Sequence, residues 1–358
     1  MTGGRPARLG RLVADAELDA LIVEGAANLR YLTGYTGSNG LALVRADGAG
    51  RFYTDFRYAS QVAEELDDAF ESEIVTGELL DALAGSLEGG RVGFDDTQMT
   101  VRRRARLGEL VAATVELVAA AGLPERMRAV KDEREIESIA AAARLVDELL
   151  GWLFASGLGG RSERELAISL EHEMRLRGAS APSFASIVAG GAHAALPHAQ
   201  PGEMKIERGT LVTFDLGALV GGYCSDCTRT VAVGEPSAQA REVYAIVLDA
   251  QLAGLEAIAP GISGRDADAR ARAVIEEAGY GDYFGHGLGH GVGLEIHEAP
   301  RLARTSGDHE LLVGNVVTVE PGIYLPGELG VRIEDLAVVR ADGAQVLSSF
   351  TKELLVLD

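Results

Sequence analysis

The sequence predicts an α/β protein of two domains, and three observations support this prediction. Its 358 residues exceed the size at which a single hydrophobic core stops growing, about 250–300 residues. Short apolar runs typical of strands alternate with amphipathic segments typical of helices. The segment Gly122-Leu123-Pro124 ends one of the predicted helices. We therefore predict one domain over residues 1–125 and a second over residues 126–358.

The first domain has the pattern of a small α/β unit. Three short runs predict strands: LDALIV (Leu18–Val23), LALV (Leu41–Val44) and RFYTD (Arg51–Asp55). Two longer segments, Tyr58–Leu66 and Arg102–Ala121, predict helices.

The second domain repeats one order of elements. A long helix is predicted from about Asp132 to Phe154, and Ser162 with Glu165 forms a capping box for the next helix. Predicted strands follow at residues 186–188, 211–217 and 223–233. Helices at residues 237–258 and 266–279 and strands at residues 316–320 and 331–339 then repeat this order. Two helices followed by a hairpin, twice over, predict a pseudo-duplicated domain.

Composition and charge restrict the classes of partner. The formal net charge is −21, which disfavours nucleic acid and anionic membrane surfaces because both would repel the chain. No apolar run reaches the roughly 18–20 residues that span a bilayer. The N-terminal segment Met1–Pro6 leads into charged residues without the apolar stretch of a signal peptide. We expect a cytoplasmic protein with neither a nucleic-acid nor a membrane partner.

Two carboxylates lie on the first predicted hairpin of the second domain. If residues 211–229 close symmetrically around Leu219–Gly222, Asp215 faces Asp226, with Cβ atoms about 4.5–5.5 Å apart. Like charges so placed destabilise a hairpin unless a cation offsets them, and hard divalent cations prefer oxygen ligands. A bulge or a longer loop would instead separate the two side chains.

The second hairpin carries a matching pair. Glu320 and Glu334 interrupt apolar strands and are placed to meet across the turn that contains Pro326, Gly327 and Gly330. Charged side chains on such strands are seldom buried without a partner. An ion pair with Arg332, on the same strand face as Glu334, could satisfy one glutamate but not both.

Histidines concentrate in one glycine-rich loop. The segment FGHGLGHGVGLEIHE (Phe284–Glu298) contains His286, His290 and His297, and its glycines allow backbone to come close to a site. It matches neither a dinucleotide fingerprint nor the H-E-x-x-H zinc helix. His198, in the segment LPH before the first carboxylate strand, is a weaker candidate. We expect His172, His193 and His309 to have no part in chemistry.

The cysteines form a C-x-x-C pair that we interpret as structural. Cys224 and Cys227 lie in a predicted strand, where residues three apart point to opposite faces, so their thiols should not converge.

Together these segments resemble the pita-bread metallopeptidases, a family that includes methionine aminopeptidase, aminopeptidase P, prolidase and creatinase. The resemblance rests on TFDLGA, YCSDCTRT, GHGLGHGVGLEIHE, TVEPGIY and VRIEDL. The LPH segment and the HGVGLEIHE loop are most similar to the Xaa-Pro branch. GYTGSNG (Gly34–Gly40) and TDFRY (Thr54–Tyr58) are similar to a creatinase-type N-terminal domain. The resemblance implies a pita-bread catalytic domain preceded by that smaller domain.

The resemblance also implies roles for individual residues. Asp226 and Glu334 match carboxylates that bridge two metal ions. The remaining ligands are implied to be Asp215 for one ion and His290 with Glu320 for the other. His198 and His297 match the imidazoles that bind substrate and handle protons. Three further positions match the substrate-binding part of the active site: His286, Tyr324 and Arg332.

The implied activity is hydrolysis of the Xaa-Pro bond with two divalent ions per chain. Mn²⁺ or Co²⁺ is expected before Zn²⁺, because the ligands are carboxylates and one imidazole rather than thiolates. The expected partners are a peptide with proline at its second position and a second copy of the chain in a homodimer. A dipeptidase is favoured slightly over an aminopeptidase, because the N-terminal domain is short.

Two alternatives remain. A creatinase-like C–N hydrolase would share the fold, but creatinase works without metals, so a complete ligand set counts against it. A catalytically silent binding homologue would typically have lost ligands.

Overall fold

The computed structural model describes residues 4–358. Met1, Thr2 and Gly3, which belong to the segment from which a cytoplasmic location was predicted, lie outside the described residues. The chain divides into two compact units, Met1–Arg128 and Ala129–Asp358. Within the described range, no helix combines the length and apolar character needed to cross a membrane.

The N-terminal unit is a mixed sheet with helices. Its strands are β1 (Ala20–Val23), β2 (Leu41–Arg45), β3 (Gly50–Asp55), β4 (Phe70–Val75), β5 (Gly90–Phe94) and β6 (Val115–Ala119). They lie in the order β4-β3-β2-β1-β5-β6. The helices are α1 (Arg5–Asp15), α2 (Ala26–Thr33), α3 (Ala59–Glu65), α4 (Leu79–Gly85), α5 (Val101–Leu110) and α6 (Leu123–Ala129). Fully buried Ile22, Tyr53, Leu83 and Leu107 lie in its core.

One predicted helix of this unit is wrong in its second half. Helix α5 ends at Leu110, because Val111 adopts an extended conformation. Residues Val115–Ala119 form β6, which pairs with β5 in parallel. The run VELVA alternates in a way that suits a strand, and an edge position beside β5 outweighs its weak helical pattern.

The first half of the C-terminal unit contains α7 (Glu133–Ala155) and α8 (Glu163–Leu176). Both begin with a capping box, and that of Ser162 and Glu165 was predicted. The strands are β7 (Ala181–Pro182), β8 (Ile187–Gly190), β9 (Thr210–Leu216), β10 (Ala218–Val220), β11 (Tyr223–Cys224) and β12 (Cys227–Val233). One sheet has the order β20-β12-β9-β8, where β20 is Val356–Leu357, and another has the order β11-β10-β7.

The second half repeats this plan with α9 (Ala238–Ala257) and α10 (Gly264–Glu277). Its strands are β13 (Gly289–Gly291), β14 (Glu298–Leu302), β15 (Val316–Val319), β16 (Gly322–Leu325), β17 (Leu329–Arg332), β18 (Asp335–Arg340) and β19 (Gly343–Val346). They form a sheet of order β14-β13-β15-β18-β19 and the β16-β17 hairpin. Two helices and a hairpin thus occur twice, as the order of sequence elements predicts.

The two predicted strands that carry carboxylates are each interrupted. Residues 223–233 divide into β11 and β12 with Ser225 and Asp226 between them, and residues 331–339 divide into β17 and β18 with Ile333 and Glu334 between them. In both cases the break falls at an acidic residue. Leaving the regular ladder allows these side chains to turn towards a common point.

The cysteines occupy different parts of the core. Cys224 packs in a cluster with Ile139 and Val292, whereas Cys227 packs with Leu153 and Phe214. The two cysteines are not joined by a disulfide bond, and both are buried. Burial raises the pKa of the Cys227 thiol well above its usual value, which disfavours a nucleophilic thiolate.

Candidate metal centre and active site

The first carboxylate pair does not have the register that a symmetric hairpin predicts. Asp215 lies opposite Thr228, not opposite Asp226, because the hairpin closes through the two-residue turn Gly221–Gly222. Both glycines have positive φ, +58° and +85°, as a tight hairpin turn requires. The prediction that Asp215 directly faces Asp226 is therefore wrong. The break before β12 nevertheless leaves Asp226 as a diagonal neighbour of Asp215.

The second carboxylate pair has the predicted register. Val319 faces Asp335 in the ladder of β15 with β18, and Gly322 faces Arg332 in the hairpin beyond it. Both ladders extrapolate to Glu320 opposite Glu334. The Glu334 backbone N–H donates to Thr228 O at 3.1 Å, which joins the second hairpin to the first.

Three carboxylates converge where the hairpins meet. One oxygen of each of Asp215, Asp226 and Glu334 lies within 4.8 Å of the other two. Asp226 and Glu334 are buried, with exposed fractions of 6% and 1%. Glu334 Oε2 accepts a hydrogen bond from Thr228 Oγ1 at 2.7 Å. The Arg332 guanidinium pairs with Asp215 Oδ2 at 2.6 Å rather than with Glu334, so it does not supply the ion pair considered as an alternative for that residue.

The orientation and tautomer of His290 would allow it to bind a metal ion. Its Nδ1 lies 3.0 Å from Gly291 O, and because a carbonyl only accepts, Nδ1 carries the proton. In the neutral ring, Nε2 then presents a lone pair 3.4 Å from Glu320 Oε1 and 3.6 Å from Asp226 Oδ2. Burial lowers the pKa of His290 to about 4, which keeps the imidazole neutral as ligation requires.

The electrostatics of the cluster fit divalent cations. Asp215 Oδ1 and Glu334 Oε1 are buried and have no hydrogen-bond partner. Burial, followed by repulsion from neighbouring carboxylates, raises the pKa of both Asp226 and Glu334 well above their usual values. Burial also raises the pKa of Glu320 to about 7. Divalent cations would supply the missing partners and allow all the carboxylates to ionise.

The glycine-rich loop brings backbone close to this cluster, as predicted. A Cβ at Gly289 would overlap the carbonyl oxygen of Thr318, and one at Gly291 would overlap that of Ala299. Only glycine therefore lets β13 lie between its neighbours with His290 directed at the carboxylates.

His297 and His198 lie on the exposed side of the site. The His297 ring centroid is 4.4 Å from that of His290. Burial, and after it the positive charge of Arg301 and the proximity of His198, lowers the pKa of His297. Both imidazoles are exposed, so they can contact a bound molecule.

Three further candidates form a hydrogen-bonded chain that ends at Asp215. Arg332 donates from Nη1 to the Tyr324 hydroxyl at 2.8 Å and from Nη2 to Asp215. The Tyr324 hydroxyl in turn donates to His286 Nε2 at 2.8 Å, because His286 Nδ1 donates to Gly287 O. Arg332 and Tyr324 are buried, with 4% and 7% exposed. These hydrogen bonds orient Asp215. The predicted contact of the three residues with substrate stays a prediction.

Sequence reasoning missed Arg301. It lies in β14 directly opposite His290, so the two side chains share a sheet face. It is exposed, and its charge lowers the pKa of both His290 and His297. The segment EAPRL gives no local signal for this position, because the relevant partner lies on a neighbouring strand.

Comparison with known proteins agrees with this architecture. Residues 137–341 match the model of metallopeptidase family M24, and residues 5–130 match the creatinase/prolidase N-terminal domain. A Xaa-Pro dipeptidase of Pyrococcus horikoshii is 36% identical over 94% of this chain and 95% of its own.

Solved structures agree in fold over nearly the whole chain. A Xaa-Pro dipeptidase from Bacillus anthracis superimposes with a TM-score of 0.95 at 41% identity, covering 98% of this chain and 99% of the other. An X-Pro aminopeptidase from Thermotoga maritima gives a TM-score of 0.89 at 34% identity, covering 98% and 100%.

The predicted fold class, a creatinase-type domain followed by a pita-bread domain, is thereby confirmed. With the family model spanning most of the C-terminal unit, and with the similarity extending along both units, the chain belongs to metallopeptidase family M24.

Proposed function

We propose that this protein is a Xaa-Pro dipeptidase that works with two divalent metal ions. The observation that carries the proposal is the buried carboxylate cluster with its two unpartnered oxygens, beside a lone pair of His290. Relatives named Xaa-Pro dipeptidase support the substrate class. The ions would be held by five side chains, with Asp226 and Glu334 shared between them: Asp215, Asp226, His290, Glu320 and Glu334.

The chain's own residues have defined tasks in this proposal. When bound, the ions supply Lewis acidity that activates water and polarises the scissile carbonyl. The chain of Arg332, Tyr324 and His286 holds Asp215 in place. The proline nitrogen is a tertiary amide and must gain a proton as its bond to the carbonyl breaks. His297 and His198, which are exposed beside the cluster, bind the peptide and provide this proton transfer.

The proposal is tested by hydrolysis of Ala-Pro and Ala-Pro-Ala with metal-free protein and with protein reloaded with Mn²⁺, Co²⁺ or Zn²⁺. We expect metal-dependent cleavage of Ala-Pro, with Mn²⁺ or Co²⁺ most effective. Cleavage that persists in metal-free protein would contradict the proposed metal dependence.

Light scattering of the same sample tests the expected homodimer, and fractionation of the source cells tests the expected cytoplasmic location.

The position of Arg301 supports a preference for dipeptide substrates over longer peptides. A dipeptide carries its free carboxylate one residue from the scissile bond, and a cation on the His290 face of the sheet is suitably placed to receive it. We expect Arg301→Gln to lower kcat/KM for Ala-Pro by about 10–100-fold, the loss typical of one charged hydrogen bond. The loss for Ala-Pro-Ala should stay below about threefold.

Arg304→Gln is the matched control, because Arg304 is also exposed and lies just beyond β14. It should leave both substrates unaffected. Equal losses for Ala-Pro and Ala-Pro-Ala in the Arg301 variant would show that this residue does not recognise the dipeptide carboxylate.

A further inference from the structure

We propose that Glu163 is a positioning residue for His198: its buried carboxylate fixes the loop of residues 190–202, which carries that imidazole. The proposal rests on the proposed function, because it concerns how His198 is held for the reaction. Glu163 is not among the residues that the sequence singled out for chemistry, and His193, its partner, was expected to be ordinary.

The carboxylate binds both ends of the loop. Glu163 is the first residue of α8 and has an exposed fraction of 0%. Its Oε1 accepts a hydrogen bond from Gly190 N and its Oε2 accepts one from Gly202 N, each at 2.9 Å. The His193 Nδ1, 2.9 Å from both oxygens, donates from within the loop. The Glu163 side chain thus joins three points of the loop: Gly190 at the end of β8, His193 in the following turn, and Gly202 at the end of the loop.

The opposite side of the loop lies against the active site. Arg332 Nη1 donates to Pro197 O at 3.4 Å, immediately before His198. Gly330 in β17 approaches the loop so closely that a Cβ there would overlap Ala194 O. The loop is therefore held between Glu163 on one side and a strand that carries Arg332 on the other. Movement on the Glu163 side is transmitted to His198.

The Glu163 side of the loop borders a cavity. A cavity of about 610 Å³ is lined there by Glu163, His193, Leu196, Met204 and Pro326, among others. Leu196 and Met204 are exposed, with fractions of 57% and 47%. The small buried side chains of Ala194 and Ala199 also pack in the loop, and the Glu163 carboxylate adds the hydrogen bonds that join its two ends.

The number of donors explains why a carboxylate is required. Three N–H groups point at two oxygens, and a carboxylate can accept all of them. In Glu163→Gln, one oxygen becomes an NH₂ group that faces an N–H donor. A buried donor left without an acceptor is costly, so the loop must detach at one end.

The kinetic test is a double-mutant cycle. We expect Glu163→Gln to lower kcat/KM for Ala-Pro by about tenfold or more, and His198→Ala alone to lower it as well. In the His198→Ala background, Glu163→Gln should cost less than about twofold, because its effect passes through the imidazole. The same loss in both backgrounds would show a purely structural role and overturn the proposal.

Amide hydrogen exchange tests the loop without any activity. Peptides covering residues 190–202 should exchange faster in Glu163→Gln, whereas peptides from α7 should be unchanged. Unchanged exchange in 190–202 would overturn the proposal even if the enzyme lost activity. If the parent protein fails to cleave Ala-Pro, the proposed function fails, and exchange still decides whether Glu163 fixes the loop.

Two further variants keep the test independent of folding defects. Glu165→Gln is the control, because this carboxylate lies on the same helix turn and accepts from Ser162 N outside the loop. It should leave exchange in 190–202 unchanged. His193→Ala removes one donor and keeps both backbone contacts. If Glu163→Gln does not fold, His193→Ala should still speed exchange in 190–202, and no change in that variant would overturn the proposal.

Discussion

Glu334→Ala is expected to abolish hydrolysis of Ala-Pro and to lower the affinity for both metal ions. Glu334 lies at the centre of the carboxylate cluster with one oxygen unpartnered. Loss of a residue that only hydrogen-bonds to a metal ligand already lowers metal affinity or activity by about 10–100-fold, and loss of a ligand shared by both ions should lower them more. The measurement is elemental analysis after dialysis against a fixed free Mn²⁺ concentration, together with kcat. Wild-type protein should hold two ions per chain and the variant fewer.

Glu328→Ala is the matched control for this variant. Glu328 lies in the turn between β16 and β17, is exposed, and is separated from Glu334 by the length of β17. It should keep wild-type metal content and kcat. A Glu334→Ala protein that retained two ions and near-normal activity would exclude Glu334 as a shared ligand.

The same site determines how stability depends on metal and pH. The pKa of Glu334 is raised in the folded protein, so without metal its contribution to stability is lost as the pH rises above 4.5, the ordinary value. Near pH 7 the raised pKa of Glu334 therefore makes the metal-free folded protein less stable. Glu334→Gln removes the cost of burying this carboxyl group and its repulsion from neighbouring carboxylates, so it should raise the Tm of metal-free protein by about 2–4 °C for each kcal/mol removed. In metal-loaded protein the same change should lower Tm, because bound ions stabilise the native state.

The two hairpins show how much of the site can be predicted from sequence. The Glu320–Glu334 register follows from long apolar strands around one turn, and the structure has that register. The Asp215–Asp226 register could not be chosen correctly, because LVGG permits either a four-residue loop or a two-residue turn at Gly221–Gly222. The difference shifts the pairing by two residues. A shift of two preserves the strand face, which explains why both carboxylates still reach the cluster.

Other features lie beyond local pattern because their partners are distant in sequence. The segment VELVA suits a strand, but whether Val115–Ala119 forms one depends on the open edge of β5, which the segment itself does not show. In the sequence, Glu163 is an acidic residue in the first turn of a helix, as is common. Only the fold brings the backbone N–H groups of Gly190 and Gly202 to its carboxylate. Arg301 likewise becomes a candidate only in the folded structure, where the pairing of β13 with β14 places it beside His290.

His297→Ala is expected to lower kcat by about 10²–10⁴-fold while the metal content stays normal. The imidazole is exposed beside His290 but lies outside the carboxylate cluster, so its loss removes proton transfer to the proline nitrogen rather than a ligand. His290 does not depend on it for orientation. Its backbone N–H donates to Thr318 Oγ1 at 3.0 Å, and its Nδ1 donates to Gly291 O.

Elemental analysis and steady-state kinetics on one preparation of His297→Ala distinguish loss of proton transfer from loss of a metal ligand. His309→Ala is the control, since His309 is exposed and was expected to have no part in chemistry. It should match wild type in both measurements. If His297→Ala lost its ions along with its activity, His297 would act as a ligand or as a support for His290. If kcat fell less than about tenfold with both ions present, the proton that the proline nitrogen needs must come from His198 or from water, because the leaving amine cannot depart without it.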